Sequence, residues 1–281
     1  MKIIPVRSLK ERDPVTPESF LIRDLRAMKD VVRDSHRHDF FFVLALKKGR
    51  GSHEIDFVSH TVRDYSIFFI RPGQVHKLQL KAGSIGYIMQ FDIDFYAPPD
   101  NAARTLLRRA GDRNYCQLTA SAFRELFSTL TTIFHEYTEK REGYREVIRA
   151  SLSIFIIGLV RNRRRRAEIP HENFYEQKRL DEFCELLEIN FALQKQPSYY
   201  AEKLNLSLYQ LNAITKLMLG KTCSVLIQDR IILETKRYLL ATTYQISQIA
   251  YHLGYDDPSY FIRFFKKHTG QSPEMFRANF R

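Results

Sequence analysis

The chain has 281 residues, 44% of them hydrophobic and 21 of them Phe, which is enough for two domains with cores of their own. A formal charge of +12, from 44 Lys and Arg against 32 Asp and Glu, points to an anionic partner, nucleic acid first. Three distant cysteines, Cys116, Cys184 and Cys223, exclude a disulfide framework and a C-x-x-C zinc knuckle. The first ten residues lack the apolar stretch of a secretory signal, and the apolar run 152–160 is too short for a bilayer. A cytoplasmic protein with no membrane contact is expected.

Residues 20–95 read as short strands between turns. Residues 40–46 are an unbroken apolar run ended by Lys47, Lys48 and Gly49, and residues 52–58 alternate with period two. Residues 66–70 form another run, closed by Arg71, Pro72 and Gly73, and residues 85–91 a fourth. Regular short strands with Gly and Pro turns predict a sandwich or barrel. Phe40 and Phe42 share one face, and Phe41 and Val43 the other; alternation alone does not say which face is inner.

His36-Arg37-His38 precedes the first run, and Pro72-Gly73-Gln74-Val75-His76 follows a later one. Together they resemble the two motifs of cupin β-barrels, which implies a cupin-like sensor barrel over residues 1–118. In metal-binding cupins the H-x-H pair, a Glu about four residues on and a later His hold one ion, a task that suits neutral imidazole. Here positions 42 and 43 are Phe and Val, so neither metal nor cofactor is expected. What remains is a candidate effector pocket of His36, His38, Phe40, Phe42 and His76 at the barrel mouth. A barrel of about eight strands has room for one small-molecule effector. The plainer reading has His38 and His76 merely hydrogen-bonding there.

Phe123, Leu126, Leu130, Ile133 and Tyr137 are spaced like an a/d seam. Gly143 interrupts, and residues 147–160 form a second helix that is apolar on most faces. Residues 119–160 are therefore expected to be a helical dimerisation segment for a homodimer. The alternative is that the seam is ordinary core within one chain. Residues 161–173 are the expected basic linker, with Arg161, Arg163, Arg164, Arg165 and Arg166 followed by Pro170. Those arginines could complement a helix C-terminus or contact phosphates.

Residues 201–277 read as one helix-turn-helix unit written twice. Ala201 and Asn205 are four residues apart, as are Ala250 and Gly254. The small residue lets a second helix cross closely, and Asn or Gly can take positive φ in the turn. Leu211 precedes Gly220 by nine residues and Phe261 precedes Gly270 by nine, with Lys216 and Lys266 at matching places. Ser207 with Gln210 predicts a capping box at the first copy's second helix. Asp257 with Pro258 predicts an N-cap at the other, and each glycine predicts a C-cap. Residues 224–240 contain no Gly or Pro and predict a continuous connecting helix, roughly 25 Å long.

Residues 174–281 are thus the DNA-binding part, and the stretch 201–277 resembles the DNA-binding domain of AraC-type (AraC/XylS) transcription regulators. The residues that carry the resemblance include Ile249-Ala250, Leu253-Gly254-Tyr255, Phe264-Phe265-Lys266-Lys267, Thr269-Gly270 and Phe276-Arg277. The first copy departs from the family at Asn205, Ala213 and Thr215. The family implies two helix-turn-helix subdomains joined by a long helix, commonly behind a cupin-type sensor. The fold expected is therefore two-domain α+β: a cupin-like β-barrel with a helical segment, then an all-α double helix-turn-helix.

Each second helix would lie in a major groove. In the first, Leu211, Ile214 and Leu217 mark the buried face, leaving Ser207, Tyr209, Gln210, Asn212 and Lys216 for DNA. In the second, Phe261, Phe264 and Phe265 face the core, leaving Ser259, Ile262, Arg263, Lys266 and Lys267. Gln210 and Asn212 can read adenine, Arg263 guanine, and Lys266 and Lys267 phosphates. The function expected is sequence-specific transcription regulation, acting on promoter DNA and RNA polymerase. The alternatives are a cupin-type metalloenzyme tethered to DNA and an architectural DNA-binding protein. There is no nucleophile–base–acid pattern to suggest an enzyme.

Overall fold

A computed structural model of the chain describes residues 5–9, 19–28, 31–96, 101–167 and 174–279. The chain divides into two compact units, one of residues 5–168 and one built from residues 169–281. Among the described residues no helix is long and apolar enough to cross a membrane.

The first unit has two five-stranded sheets. One runs β1 (Val6–Arg7), β3 (Val31–His38), β8 (His76–Leu80), β5 (Gly51–Ile55), β6 (Val58–Val62). The other runs β10 (Tyr115–Gln117), β7 (Ser66–Ile70), β4 (Phe41–Lys48), β9 (Ile85–Phe91), β2 (Phe20–Asp24). All pairs are antiparallel except β1 with β3. The barrel is thus realised as two facing sheets. His36-Arg37-His38 lies within a strand, β3, rather than ahead of the first one. The run 52–58 is not one strand: Asp56 and Phe57 both take positive φ, 47° and 70°, and turn β5 into β6. Consecutive left-handed residues suit a tight hairpin turn, although Phe57 is not a residue that announces one.

Strand β4 is buried on both faces, which explains its unbroken apolar run. Phe42, Leu44 and Leu46 meet Phe68, Ile70, Ile55, Leu78 and Leu80 between the sheets. Phe41, Val43 and Ala45 face the other way, onto a helical layer. The face question left open by alternation is settled: Phe40 and Phe42 point inward.

Helix α1 (Ile93–Tyr96) and helix α2 (Asn101–Gly111) precede β10, and then α3 (Ala120–Glu139) and α4 (Tyr144–Ala167) form a hairpin. Thr119 caps α3 by accepting from Ala122 N–H, and Gly143, at φ 74°, stands in the turn. The seam expected to form a dimer interface is instead core of this unit. Phe123, Leu126, Leu130 and Ile133 are buried with Leu152, Phe155 and Ile156 of α4 and with the outer face of the second sheet, and Tyr137 packs on Phe20. Gly158 lets the helices approach, since a Cβ there would press on the Leu126 side chain. Helix α4 continues through the arginine run to Ala167, and residues 168–173 lie outside the described residues. Arg163 is buried and donates to the Ala110 carbonyl of α2, so it is not available to phosphates. The side chains of Arg164, Arg165 and Arg166 lie outside the described set.

The second unit is helical: α5 (Phe174–Asn190), α6 (Pro197–Lys203), α7 (Leu208–Leu219), α8 (Cys223–Ala241), α9 (Ile246–His252), α10 (Pro258–Thr269) and α11 (Pro273–Asn279). Its core includes Tyr200, Leu211, Ile227, Ile231, Ile249, Phe261 and Phe265. The Tyr200 hydroxyl donates to the Gln194 carbonyl at 2.7 Å. Arg277 ties α11 down by donating to the Leu239 and Tyr244 carbonyls, at 3.0 and 2.7 Å.

Candidate functional site

The repeat in the sequence is a repeat in space. Helices α6 and α7 make one helix-turn-helix, α9 and α10 another, and α8 joins them as a single helix. Asn205 and Gly254 sit in the two turns at φ 52° and 68°. Gly254 is needed for a second reason: a Cβ there would overlap the Ala192 carbonyl oxygen. Lys195 bridges the same place, donating to the Ala192 and Gly254 carbonyls at 2.6 and 2.7 Å, with its Nζ 4.5 Å from the centre of the Tyr255 ring. Gly220 and Gly270 are both left-handed C-caps, at φ 70° and 80°.

Each reading helix buries one face and presents the other. On α7, Leu211, Ile214 and Thr215 are buried. Thr215 stands where the second copy has Phe265, and its hydroxyl is satisfied by the Asn212 carbonyl at 3.3 Å. Leu217, expected in the core, is instead 60% exposed. Tyr209 is 84% exposed, and Ser207, Gln210 and Lys216 are also exposed. The capping box forms: Gln210 N–H donates to Ser207 Oγ at 3.2 Å, and Ser207 N–H donates to Gln210 Oε1 at 2.9 Å. A bidentate base contact by Gln210 therefore competes with its cap. Asn212 is turned inward, its Oδ1 accepting from Cys223 N–H at 3.0 Å. That bond ties one lone pair of the amide oxygen to the start of α8, so a bidentate adenine contact has to share that oxygen or turn the amide away.

On α10, Phe261 and Phe265 are buried, while Phe264 is half-buried against Tyr255 and His268. Ser259, Arg263, Lys266 and Lys267 are exposed and Ile262 is half-buried. Asp257 caps the helix by accepting from Ser259 N–H at 2.8 Å. Its other oxygen lies 3.7 Å from Arg263, an exposed pair with little hold on the guanidinium. Burial raises the Cys223 thiol to about 12 and also raises the Tyr200 and Tyr255 phenols, so all three stay protonated.

In the first unit the five residues expected at the barrel mouth converge. His38 stacks on Phe40 and Phe42, with centroids 4.4 and 5.4 Å apart, and His76 lies 4.3 Å from His36 and 5.2 Å from Phe42. His53, which the sequence reading did not single out, joins them. It shares the inward face of β5 with Ile55, and the alternation over 52–58 carried that signal. His53 Nε2 lies 2.8 Å from His76 Nδ1, and His76 Nε2 lies 2.7 Å from His38 Nε2. His36 Nδ1 lies 2.7 Å from the Asp34 carbonyl, an acceptor only, so Nδ1 carries the hydrogen and Nε2 holds a lone pair. Burial depresses the His53 pKa to about 3 and keeps that ring neutral.

One ring nitrogen from each of His36, His38 and His76 lies within 4.8 Å of the other two. The three imidazoles that hold a metal in cupin barrels are therefore present, while Phe42 and Val43 stand in the sequence where the carboxylate is expected. Neutral imidazole alone suffices for a borderline divalent ion such as Zn²⁺.

Comparison with known proteins follows the same division. Residues 19–153 match the AraC-like ligand binding domain, and residues 200–279 match a helix-turn-helix domain. The chain is 23% identical over 245 residues, 86% of either chain, to the HTH-type transcriptional activator RhaS of Pectobacterium carotovorum. It is 30% identical over 113 residues to the bifunctional transcriptional activator/DNA repair enzyme AdaA of Bacillus subtilis, a match that spans 54% of AdaA and 40% of this chain. Among solved structures, the C-terminal domain of the response regulator yesN of Fusobacterium nucleatum is 28% identical. That match covers 34% of this chain and 93% of that one, with a TM-score of 0.32. With a ligand-binding domain ahead of a helix-turn-helix domain, the chain belongs to the AraC family of DNA-binding transcription regulators.

Proposed function

We propose that this regulator reads promoter DNA with the outward faces of α7 and α10, works as a cytoplasmic homodimer, and adjusts its DNA affinity to a small molecule bound by the N-terminal unit. The observation that carries the reading is the two-sidedness of the reading helices. Each has one face in the core and the other open, and the open residues are those able to contact bases and phosphates. Arg263 is the base-reading residue of α10, with Ser259 and Ile262 beside it. Tyr209, Gln210 and Ser207 serve α7. Lys216, Lys266 and Lys267 bind phosphates and supply affinity without sequence information. Asn212 supports α8 instead of reading a base. A switch follows if the effector binds one arrangement of the protein more tightly than another. Activation would run through RNA polymerase, without catalysis by the chain itself.

The dimer contact has to be sought away from the α3 seam, which is core. Val147, Ala150 and Ile154 of α4 form an exposed stripe at helical spacing, continued by half-buried Ile157, and Ile154 is 62% exposed.

Binding of two variants to the preferred duplex and to point-altered duplexes, over a range of salt, tests the DNA reading. Arg263→Ala should lose about 1–3 kcal/mol on the best site and relax preference at one position. Lys267→Ala should weaken all sequences alike and flatten the salt slope by about one. Uniform weakening by Arg263→Ala would move that residue to the phosphate contacts.

A further inference from the structure

The second helices of the two helix-turn-helix copies superpose residue for residue. Their N-caps are Ser207 and Asp257, their buried anchors Leu211 and Phe261, and their left-handed C-caps Gly220 and Gly270. On that alignment Tyr209, Ala213 and Leu217 of α7 take the places of Ser259, Arg263 and Lys267 of α10. Spaced by four, each set lies along one line of its helix, on the side away from the buried anchor. All six residues are exposed. The geometry is shared and the chemistry is opposite. Along this line α10 offers a hydroxyl, a guanidinium and an ammonium, whereas α7 offers an aromatic ring, a methyl and an isobutyl group. Tyr209 is 84% and Leu217 60% exposed. The polar side chains beside the line on α7 are Gln210, engaged in the capping box, and Lys216. Asn212 is turned inward to Cys223 N–H. A single exposed apolar side chain is ordinary. Three in line on the outward face of a reading helix form an apolar strip where the other copy carries its polar contacts.

We propose that α7 recognises a run of thymines by their C5-methyl groups, with Tyr209, Ala213 and Leu217 as the specificity-determining residues. The inference rests on the reading of α7 as a DNA-reading helix. In the major groove the thymine methyl is the apolar group that base edges present; guanine, cytosine and adenine offer hydrogen-bonding groups there. An apolar side chain laid on a G·C edge strips water from those groups and returns no partner, which is costly. Laid on a thymine methyl, it removes apolar surface of both from water. From Tyr209 to Leu217 the strip is about 12 Å long at about 1.5 Å per residue, which is up to three or four base pairs at about 3.4 Å each. Tyr209 and Ala213 lie in the N-terminal half, which enters the groove. The small Ala213 side chain lets the helix approach the methyls closely, and Leu217 carries the strip on toward the groove edge. The two blocks of one site then differ in kind: thymines lie under α7, and a guanine lies under Arg263 of α10. That difference fixes which way round the protein sits on the duplex.

The test selects duplexes from a random pool with the full-length wild type and with Ala213→Arg, and then measures binding to the wild-type motif with single bases altered. Position 213 is exposed, and Arg is a good helix former, so the variant should fold. The α7 block is the one whose preference changes in Ala213→Arg; one thymine there should become guanine, while the other block stays as it was. Replacing a thymine of the α7 block by deoxyuridine removes the methyl and keeps every hydrogen-bonding group. Wild-type affinity should then fall about fourfold for each methyl covered, the worth of one buried CH₂ group. Deoxyuridine outside the two blocks should change nothing. Cytosine in place of a thymine of the block should weaken binding further, and 5-methylcytosine should recover part of that loss. An α7 block without thymine, equal affinity for the thymine and deoxyuridine duplexes, or a motif unchanged by Ala213→Arg overturns the methyl reading and leaves the DNA-reading role of the helices standing. Selection that enriches no motif overturns that role and this inference together.

Discussion

Gly254→Ala is the sharpest test of how the second reading helix is set. The residue lies at φ 68°, where an L side chain costs about 1–2 kcal/mol. The added Cβ also meets the Ala192 carbonyl oxygen, part of the backbone and unable to rotate aside. Moving it disturbs the Lys195 bonds to Ala192 and Gly254, so a further 1–3 kcal/mol, roughly the cost of overpacking, is expected. The total is about 2–5 kcal/mol. In a unit of this size each kcal/mol lowers Tm by about 4–8 °C, which puts the loss at roughly 8–40 °C. Asn205→Ala in the other copy is the matched control. Asn205 already carries a Cβ at φ 52°, so only the conformational part applies, about 1 kcal/mol. Thermal unfolding of the full chain, followed by far-UV ellipticity, reads both variants. Equal losses, or a loss below about 1 kcal/mol for Gly254→Ala, would refute the close-approach argument.

Three further outcomes are expected. Ile154→Asp places a charge in the exposed α4 stripe and should convert a dimer into monomer in sedimentation without changing Tm; a wild type that is monomeric with and without DNA would contradict the proposed contact. Asn212→Ala removes the acceptor for Cys223 N–H and should cost about 1 kcal/mol while the preferred DNA sequence stays the same, and a changed sequence with unchanged stability would return Asn212 to the bases. The Cys223, Tyr200 and Tyr255 protons are held more tightly folded than unfolded, so the unfolded chain sheds protons first as pH rises. Stability of the helical unit should therefore be intact below about pH 9 and fall from there toward pH 12, seen as a declining Tm across that window; a flat Tm would contradict the burial of these groups.

Local chemistry made the helical unit legible. Asn205, Gly220, Gly254 and Gly270 each do what their backbone freedom predicts, and Ser207 with Gln210 forms its capping box. The sheet unit was legible as strands, but not in its inner and outer faces. Strand β4 is apolar on both, because a sheet covers one face and helices the other. For the same reason the α3 seam could not be told from a dimer interface: a/d spacing records that a face is buried, not what buries it. The turn at Asp56 and Phe57 was missed because an aromatic residue holds a left-handed position. No short motif contains His53: alternation along β5 puts it on the inward face with Ile55, and the pairing of β5 with β8 brings it near His76. Helix position alone did not reveal that the start of α8 engages the Asn212 amide or that Leu217 stays exposed.

Selection from random duplex DNA with the full-length protein decides whether the two reading helices recognise sequence. The expected result is enrichment of one motif with two blocks about one helical turn, or roughly 10 base pairs, apart. Salt-sensitive binding with no enriched motif, in the presence and absence of Zn²⁺ and of cell metabolites, would contradict it.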